Sequence, residues 1–305
     1  MRIGLFLGDL LARPLDEVLS GIRDAASEGF ASAWLPQITG YDALTVLALA
    51  GHETPGIELG TAVVPTYPRH PVMLAGQALT VQAATGGRLA LGIGVSHQIV
   101  IEGSYGFSFE RPARHMREYL SVLMPLVRGE QVDYTGETMK GVGKLGMPPA
   151  PPPQVLLAAL APAMLGLAGR LADGTVTWMV GPKTLKGFTS PTIAAAAEKA
   201  GRSEAPRIVA GFPVSVSDDA AGSKERAART FAMYDTLPSY KNMLDREGYG
   251  GPADMAIVGD EDAVAEQVLA LAQCGVTEAL CSIFGSREDK ARTRALLARL
   301  VGQAA

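Results

Sequence analysis

Residues 85–95 read TGGRLALGIGV, so a Thr-Gly-Gly sequence separates a helix-like segment from a continuous apolar run. Glycine commonly ends helices in the left-handed conformation, and Gly86 and Gly87 therefore predict a helix C-terminus followed by a strand. The run does not alternate between apolar and polar residues. Such a run is typical of a strand that is buried on both faces, as in a parallel sheet.

The same order of helix, glycine and apolar run recurs along the chain, at Gly29, Gly56, Gly174, Gly201 and Gly275. With two more apolar runs the predicted strands number eight, at 2–6, 31–35, 57–64, 88–95, 154–160, 175–180, 207–216 and 276–284. Predicted amphipathic helices alternate with them, at 15–28, 41–52, 71–84, 112–127, 163–171, 191–199, 220–235 and 289–301.

Eightfold alternation of strand and helix predicts an α/β protein, a (β/α)8 TIM barrel, formed as a single domain by residues 1–305. A doubly wound open sheet is the alternative. It normally needs a glycine-rich turn after the first strand, where Leu7-Gly8-Asp9-Leu10 has only one glycine.

Three segments interrupt the alternation. Residues 98–111 and 236–262 are predicted insertions at the C-terminal face of the barrel, where loops carry function, and a further helix is predicted at 263–273. Residues 130–153 predict a surface hairpin followed by a proline-rich connector. The first two insertions are candidate lids over a site.

Composition excludes several classes of protein. The chain has 48% hydrophobic and 19% charged residues and a net charge of −4, which is typical of a globular protein and disfavours a nucleic-acid binder. Only two cysteines occur, Cys274 and Cys281, so we expect buried thiols in a reducing cytoplasm. The longest apolar stretch, 155–169, is too short for a membrane span, and the N-terminus does not read as a signal peptide.

The candidate site is poor in acid–base groups. The residues just past the predicted strands include Asp9, His97, Lys183 and Arg287, without a carboxylate pair for glycoside hydrolysis. The four histidines lack metal-ligand spacing, so no metal site is expected. A mouth of glycine, backbone and apolar residues suits a flat organic cofactor that supplies the chemistry itself.

Several segments resemble the bacterial luciferase-like superfamily, most closely its deazaflavin-dependent branch, which includes the methylenetetrahydromethanopterin reductases. They are GTAVVPTYPRHP (60–71), GRLALGIGVSHQ (87–98), YGFSFERPARHMREYLSVLMPLVRGEQVDYTGE (105–137), LADGTVTWMVG (171–181) and GPADMAIVGDEDAVAEQVLALAQCGVTE (251–278). No single segment is highly specific, but their order and spacing cover essentially the whole chain.

The resemblance implies a barrel that binds coenzyme F420, with FMN as the alternative, at its C-terminal mouth. It also implies a non-prolyl cis peptide bond at Ala62–Val63, which would support the cofactor ring from behind. The cofactor-binding residues that we expect on this basis are Thr61, Ala62, Val63, Gly94, Ser96, His97, Ala159, Leu160, Ala161, Gly181 and Lys183. The last five follow strands five and six and would take the phosphate, partly at a helix N-terminus.

His97 and Asp9 are the candidate catalytic residues. His97 stands where glucose-6-phosphate dehydrogenases of the superfamily place an acidic residue, while their Asp-His pair after strand two is replaced here by Pro36-Gln37. The departure favours a reductase over an alcohol dehydrogenase. We therefore expect hydride transfer between F420 and a small organic substrate with an activated C=C or C=N bond.

Two alternatives stay open, an FMN-dependent monooxygenase and a non-catalytic flavin-binding protein. We expect a cytoplasmic enzyme with a small-molecule substrate and with neither nucleic acid nor membrane as a partner. Since dimers are common in the superfamily, the resemblance also allows a homodimer.

Overall fold

Eight parallel strands close into a barrel in the computed structural model, which describes residues 1–148 and 150–303. Each of these strands is hydrogen-bonded to the next one along the chain, and the last pairs with the first, which closes the ring. Their bounds are β1 Arg2–Phe6, β2 Ser32–Leu35, β3 Glu58–Thr61, β5 Leu89–Gly94, β8 Gln154–Leu157, β9 Gly174–Trp178, β10 Arg207–Val216 and β12 Glu278–Ile283. The predicted (β/α)8 barrel is confirmed.

Four further strands lie outside this ring. β4 (Val64–Pro65) continues β3 and pairs with β5, while β6 (Val132–Thr135) and β7 (Lys140–Gly143) form the predicted hairpin. β11 (Ile257–Gly259) pairs in parallel with the far end of β10, because β10 is ten residues long and extends past its barrel neighbours. This extension places the segment after β10 at the C-terminal mouth.

The helices follow the strands around the barrel. Their bounds are α1 Leu15–Ser27, α2 Ala43–Glu53, α3 Pro71–Ala84, α4 Gln98–Gly103, α5 Pro112–Val127, α6 Pro162–Leu171, α7 Pro182–Thr184, α8 Ser190–Lys199, α9 Ala220–Thr230, α10 Pro238–Glu247, α11 Glu261–Ala270 and α12 Arg287–Gln303. Short 3-10 segments add Gly8–Ala12, Ala232–Thr236, Pro252–Met255 and Leu271–Cys274, and a π-helical turn, Leu185–Thr189, joins α7 to α8.

Local sequence signals explain most helix boundaries. The side chain of Asp42 accepts a hydrogen bond from the Thr45 N–H at the start of α2, and Asp260 does the same for α11. Gly29, Gly86 and Gly275 have φ values of 85°, 63° and 79°, as expected for glycines that follow helices.

The glycine pattern was wrong at one junction. Gly174 does not end a helix but begins β9, and a Cβ added there would overlap the carbonyl oxygen of Arg207 on β10. Several predicted elements were also too long: helix 220–235 ends at Thr230, strand 154–160 ends at Leu157, and strand 57–64 is divided into β3 and β4.

The N-terminal end of the barrel is closed by a buried ionic network. Glu278 has no exposed surface, and its Oε2 lies 2.6 Å from Arg207 Nη2 and 3.3 Å from Arg2 Nε. Glu58 pairs with the same two arginines, and Ser32 donates a hydrogen bond of 2.5 Å to Glu278. These residues lie at the beginnings of their strands. The network therefore stabilises the end of the barrel opposite the C-terminal mouth.

Candidate active site

The floor of the C-terminal mouth is apolar. Phe6, Ala62 and Val63 are partly buried and pack on side chains that fill the barrel interior. These interior side chains are Trp34, Ala90, Leu156, Val176, Val209 and Leu280. The mouth therefore ends on a closed hydrophobic layer rather than a channel.

A bulge between β3 and β4 forms part of this floor. Three residues, Thr61, Ala62 and Val63, lie opposite two residues of β5, because Gly60 pairs with Ala90 and Val64 with Ile93. The peptide bond Ala62–Val63 is cis, as the family resemblance implies.

Thr61 holds the bulge but does not face the mouth. Its side chain has no exposed surface. Its Oγ1 donates to the Gly92 carbonyl oxygen at 2.8 Å and accepts from the Gly92 N–H at 2.9 Å. The hydroxyl thus replaces ladder hydrogen bonds that the bulge interrupts, so Thr61 positions Ala62 and Val63 instead of offering a contact of its own.

Gly94 and Ser96 end the neighbouring strand. A Cβ on Gly94 would lie 2.9 Å from Val63 Cγ2 and 3.1 Å from Ala158 Cβ, so glycine lets β5 approach the bulge and the end of β8 closely. Ser96 has a φ of 60°, which non-glycine residues seldom adopt. This backbone turn directs the chain from β5 into α4 along the rim.

His97 is mostly buried at the start of α4. Burial lowers the pKa of its imidazole, so the ring is neutral at neutral pH. Its ring centroid lies 6.0 Å from that of Tyr240 on α10. His97 thereby faces the segment that covers the mouth.

Aromatic side chains form the wall above the floor. Trp178 at the end of β9 stacks on Phe6 with a centroid distance of 5.3 Å and an interplanar angle of 28°. Phe231 and Tyr234 approach Trp178 at 6.0 and 6.3 Å, and Tyr240 approaches Tyr234 at 4.7 Å. The segment between α9 and α10 therefore contributes Phe231 and Tyr234 to the wall, and α10 itself contributes Tyr240.

Sequence reasoning missed these three rings: Phe231 and Tyr234 fell in the predicted helix 220–235, and only Tyr240 fell in the predicted insertion 236–262. Aromatic residues make up 6% of the chain, yet Phe231, Tyr234 and Tyr240 fall within ten positions of one another. This local enrichment beside a predicted lid was the available signal.

Asp9 lies apart from the rings. Its side chain is 55% exposed, and its Oδ2 lies 3.2 Å from Lys290 Nζ on α12. Within the described residues, the Asp9 carboxylate makes no other hydrogen bond or ion pair. The structure does not bring Asp9 together with His97.

The two predicted phosphate-binding segments differ. At α6 the helix begins after the exposed Ala161 and has no side-chain cap, and Ala159 and Leu160 lead into it from β8. Free N–H groups at such an N-terminus attract anions.

At Gly181 the helix N-terminus already holds a carboxylate. Glu247 on α10 accepts a hydrogen bond of 2.5 Å from the Thr184 N–H, and a Cβ on Gly181 would collide with the Glu247 side chain. Lys183 is exposed beside it. The absence of a side chain at Gly181 thus makes room for the Glu247 carboxylate.

The comparisons with known proteins agree with this architecture. The family described as luciferase-like monooxygenase matches residues 1–278. The chain belongs to this luciferase-like family. The expected membership, and with it the assignment to a family of oxidoreductases, is confirmed.

Proteins similar to this luciferase-like chain in sequence include reductases, and those similar in fold include reductases and monooxygenases. The 5,10-methylenetetrahydromethanopterin reductase of Methanolobus tindarius is 31% identical over 295 residues, which cover 93% of this chain and 87% of that protein. The coenzyme F420-dependent tetrahydromethanopterin reductase of Methanopyrus kandleri has a similar structure, with a TM-score of 0.81, 24% identity and 99% coverage of both chains.

A second solved structure is the oxygenating constituent of 3,6-diketocamphane monooxygenase from Pseudomonas putida in complex with FMN. It matches with a TM-score of 0.75 and 18% identity, over 99% of this chain and 97% of that chain. At this identity the likeness supports the luciferase-like fold alone.

Other side chains of the luciferase-like chain offer little to redox or metal chemistry. Both cysteines are buried free thiols, and burial next to Glu278 raises the pKa of Cys281 to about 12. Within residues 1–148 and 150–303, no group of three His, Cys, Asp or Glu side chains could hold a metal ion. The described helices also include none that is both long and apolar enough to cross a bilayer.

Proposed function

We propose that this protein is a coenzyme F420-dependent oxidoreductase that transfers a hydride between reduced F420 and a small organic substrate with an activated C=C or C=N bond. The observation that carries the proposal is the mouth itself. It has an apolar floor, an aromatic wall and a neutral histidine, so it fits a flat uncharged ring system. The F420 dependence of the Methanopyrus reductase, which has a similar fold, supports the choice of cofactor.

The residues present fit such a cofactor. Ala62 and Val63 offer a small, partly exposed apolar surface to a ring, and Gly94, Ser96 and His97 lie on the adjacent strand end. The uncapped N-terminus of α6 after Ala161 would take the phosphate. We propose it as the main phosphate contact, because Glu247 already fills the corresponding position at Gly181.

Reduced F420, when bound, supplies a hydride, which carries two electrons, and the reduced double bond of the substrate must then also gain one proton. His97 is the candidate to guide this proton because it lies at the mouth with a neutral imidazole. A neutral imidazole carries one N–H donor and one acceptor nitrogen, so it can orient a substrate oxygen or nitrogen and relay a proton from water. Asp9 is exposed and ion-paired with Lys290, so His97 takes the proton-handling role ahead of it.

An FMN-dependent monooxygenase is the second candidate. It is favoured by the same dry apolar floor and by the likeness in fold to the FMN complex from Pseudomonas. We further propose that residues 1–305 form a single domain and that the protein is located in the cytoplasm.

Equilibrium binding of F420 and of FMN to the purified protein tests the proposal. We expect F420 to bind at least tenfold more tightly than FMN, as measured by fluorescence titration. Ala62→Phe should weaken F420 binding at least tenfold by placing a ring on the floor. Ala195→Phe, the same change at an exposed position of α8, is the control. A preference for FMN together with oxygen uptake would support the monooxygenase instead.

A further inference from the structure

We propose that the substrate is an uncharged, planar and largely apolar molecule with a carbonyl-type acceptor, held between the rings that residues 231–240 place over the mouth. This inference deepens the proposed function and rests on it. It assigns Phe231, Tyr234 and Tyr240 as specificity-determining residues.

The rings form one connected aromatic cluster above the floor of the mouth. Trp178 contacts Phe6 by stacking and Phe231 by its edge at an angle of 66°, and Phe231 in turn meets Phe284 at 82°. Aromatic walls of this kind bind flat apolar molecules by burying their surface and by stacking.

The charged side chains of residues 231–247 are either paired away from the aromatic wall or exposed to solvent. On α10, Arg246 lies over the Phe188 ring at 3.9 Å and Glu247 accepts from the Thr184 N–H, so both contact the α7–α8 region. Asp235 and Lys241 are exposed. Since a charge buried among aromatic rings needs a charged or strongly hydrogen-bonding partner, this wall disfavours a carboxylate, phosphate or ammonium group on the substrate.

Polar atoms do occur in the wall, but they are few and neutral. Burial raises the pKa of the Tyr234 and Tyr240 phenols, so each keeps its O–H proton over the physiological range. Tyr240 lies between Tyr234 and His97, at centroid distances of 4.7 and 6.0 Å. Two phenols and one imidazole are thus available as neutral donors to a carbonyl oxygen.

A polar heterocycle such as a pterin fits this wall poorly. It presents several ring nitrogens and an amino group, and each of these would need a partner on leaving water. Phe231 and Phe284 offer none, and Trp178 offers only one N–H donor, at Nε1. The residues therefore favour an α,β-unsaturated ketone with a hydrocarbon body.

A matched pair of ligands tests the inference without turnover. The probes are 4-phenylbut-3-en-2-one and the same molecule with a para carboxylate. Binding without cofactor is followed by quenching of tryptophan fluorescence, to which Trp178 responds because Trp34 is fully buried inside the barrel. We expect the neutral ketone to bind at least tenfold more tightly. Equal affinities, or tighter binding of the carboxylate, would overturn the inference.

Two variants locate the binding to the proposed residues. Tyr240→Phe keeps the ring and removes the O–H, so the neutral ketone should bind about three- to tenfold more weakly, as for one lost hydrogen bond. Phe231→Arg should reverse the preference and favour the carboxylate. Met233→Arg, at a side chain that is 60% exposed in the same segment, should leave both affinities unchanged. Unchanged affinities in Tyr240→Phe and Phe231→Arg would contradict the assignment.

Failure of the inference and failure of the proposed function give different results. Selective binding of the neutral ketone by a protein that does not bind F420 would retain the ligand class and reject the cofactor. Tight F420 binding by a protein that reduces the carboxylated ketone as fast as the neutral one would retain the cofactor and reject the ligand class.

Discussion

At the scale of single residues, burial sets the protonation state of His115, a side chain that the sequence did not single out. Its ring stacks on Tyr67 at 3.9 Å with an angle of 4°, and its Nε2 lies 3.0 Å from Thr66 Oγ1. Burial lowers its pKa to about 4, although the nearby Glu118 acts in the opposite direction. His115 thus fixes the loop after β4 as a neutral group, next to the mouth rather than in it.

The depressed pKa of His115 predicts an acid-sensitive stability. Between pH 6.5 and about 4 the unfolded chain binds a proton at this histidine that the folded chain does not bind. Stability from this group is therefore present above pH 6.5 and is lost as the pH falls, by at most about 1.4 kcal/mol per pH unit. Urea unfolding of His115→Gln should show a shallower decline over this range than the unchanged protein. The same slope in both proteins would refute the prediction, and His52→Gln, at an exposed position, is the control.

At the scale of elements, the strands and most helices could be predicted because their signals are local. A glycine after a helix and an apolar run can both be recognised from neighbouring residues. Gly86 is an example of the first signal and Leu89–Gly94 of the second. The wall of the site could not be predicted in this way. Contacts such as Glu247 with Thr184 join residues 63 positions apart, and the inward orientation of Tyr240 depends on the barrel beneath it.

The same distinction holds for residues predicted to bind the cofactor. Small residues at the end of β3 were found from the family resemblance, and Ala62 and Val63 do lie at the mouth. Thr61 differs from its two neighbours because its hydroxyl is used by Gly92 of β5. Which of three consecutive residues faces the site is decided by strand pairing, which the sequence alone does not display.

The position of α10 over the mouth depends on Glu247 in a testable way. A carboxylate that accepts from the Thr184 N–H at a helix N-terminus is a charge-assisted hydrogen bond. Glu247→Gln keeps an acceptor oxygen but removes the charge, so it should reduce the protection of α10 amides against hydrogen exchange about tenfold, which corresponds to about 1.4 kcal/mol. Asp245→Asn, at an exposed position of the same helix, should leave protection unchanged. Unaltered exchange in Glu247→Gln would show that the aromatic contacts alone hold α10.

At the scale of the whole molecule, the two ends of the barrel carry different tasks. The N-terminal end holds charged residues in a buried network around Glu278, while the C-terminal mouth has neutral and aromatic side chains. In barrels of this type, stability resides at the strand beginnings and chemistry at the strand ends. Variants at the two ends should therefore affect different measurements.

Glu278→Gln is the direct test of this division. The change removes a fully buried charge and leaves the positive charge of Arg207 with Glu58 alone, so the free energy of unfolding should fall by roughly 2–4 kcal/mol. Affinity for F420 should stay within about twofold, because the network lies at the opposite end from Ala62 and His97. Urea unfolding and fluorescence titration of one preparation measure both quantities, with the exposed Glu198→Gln as control. A change in affinity without a change in stability would mean that the two ends are coupled through the interior layer around Trp34.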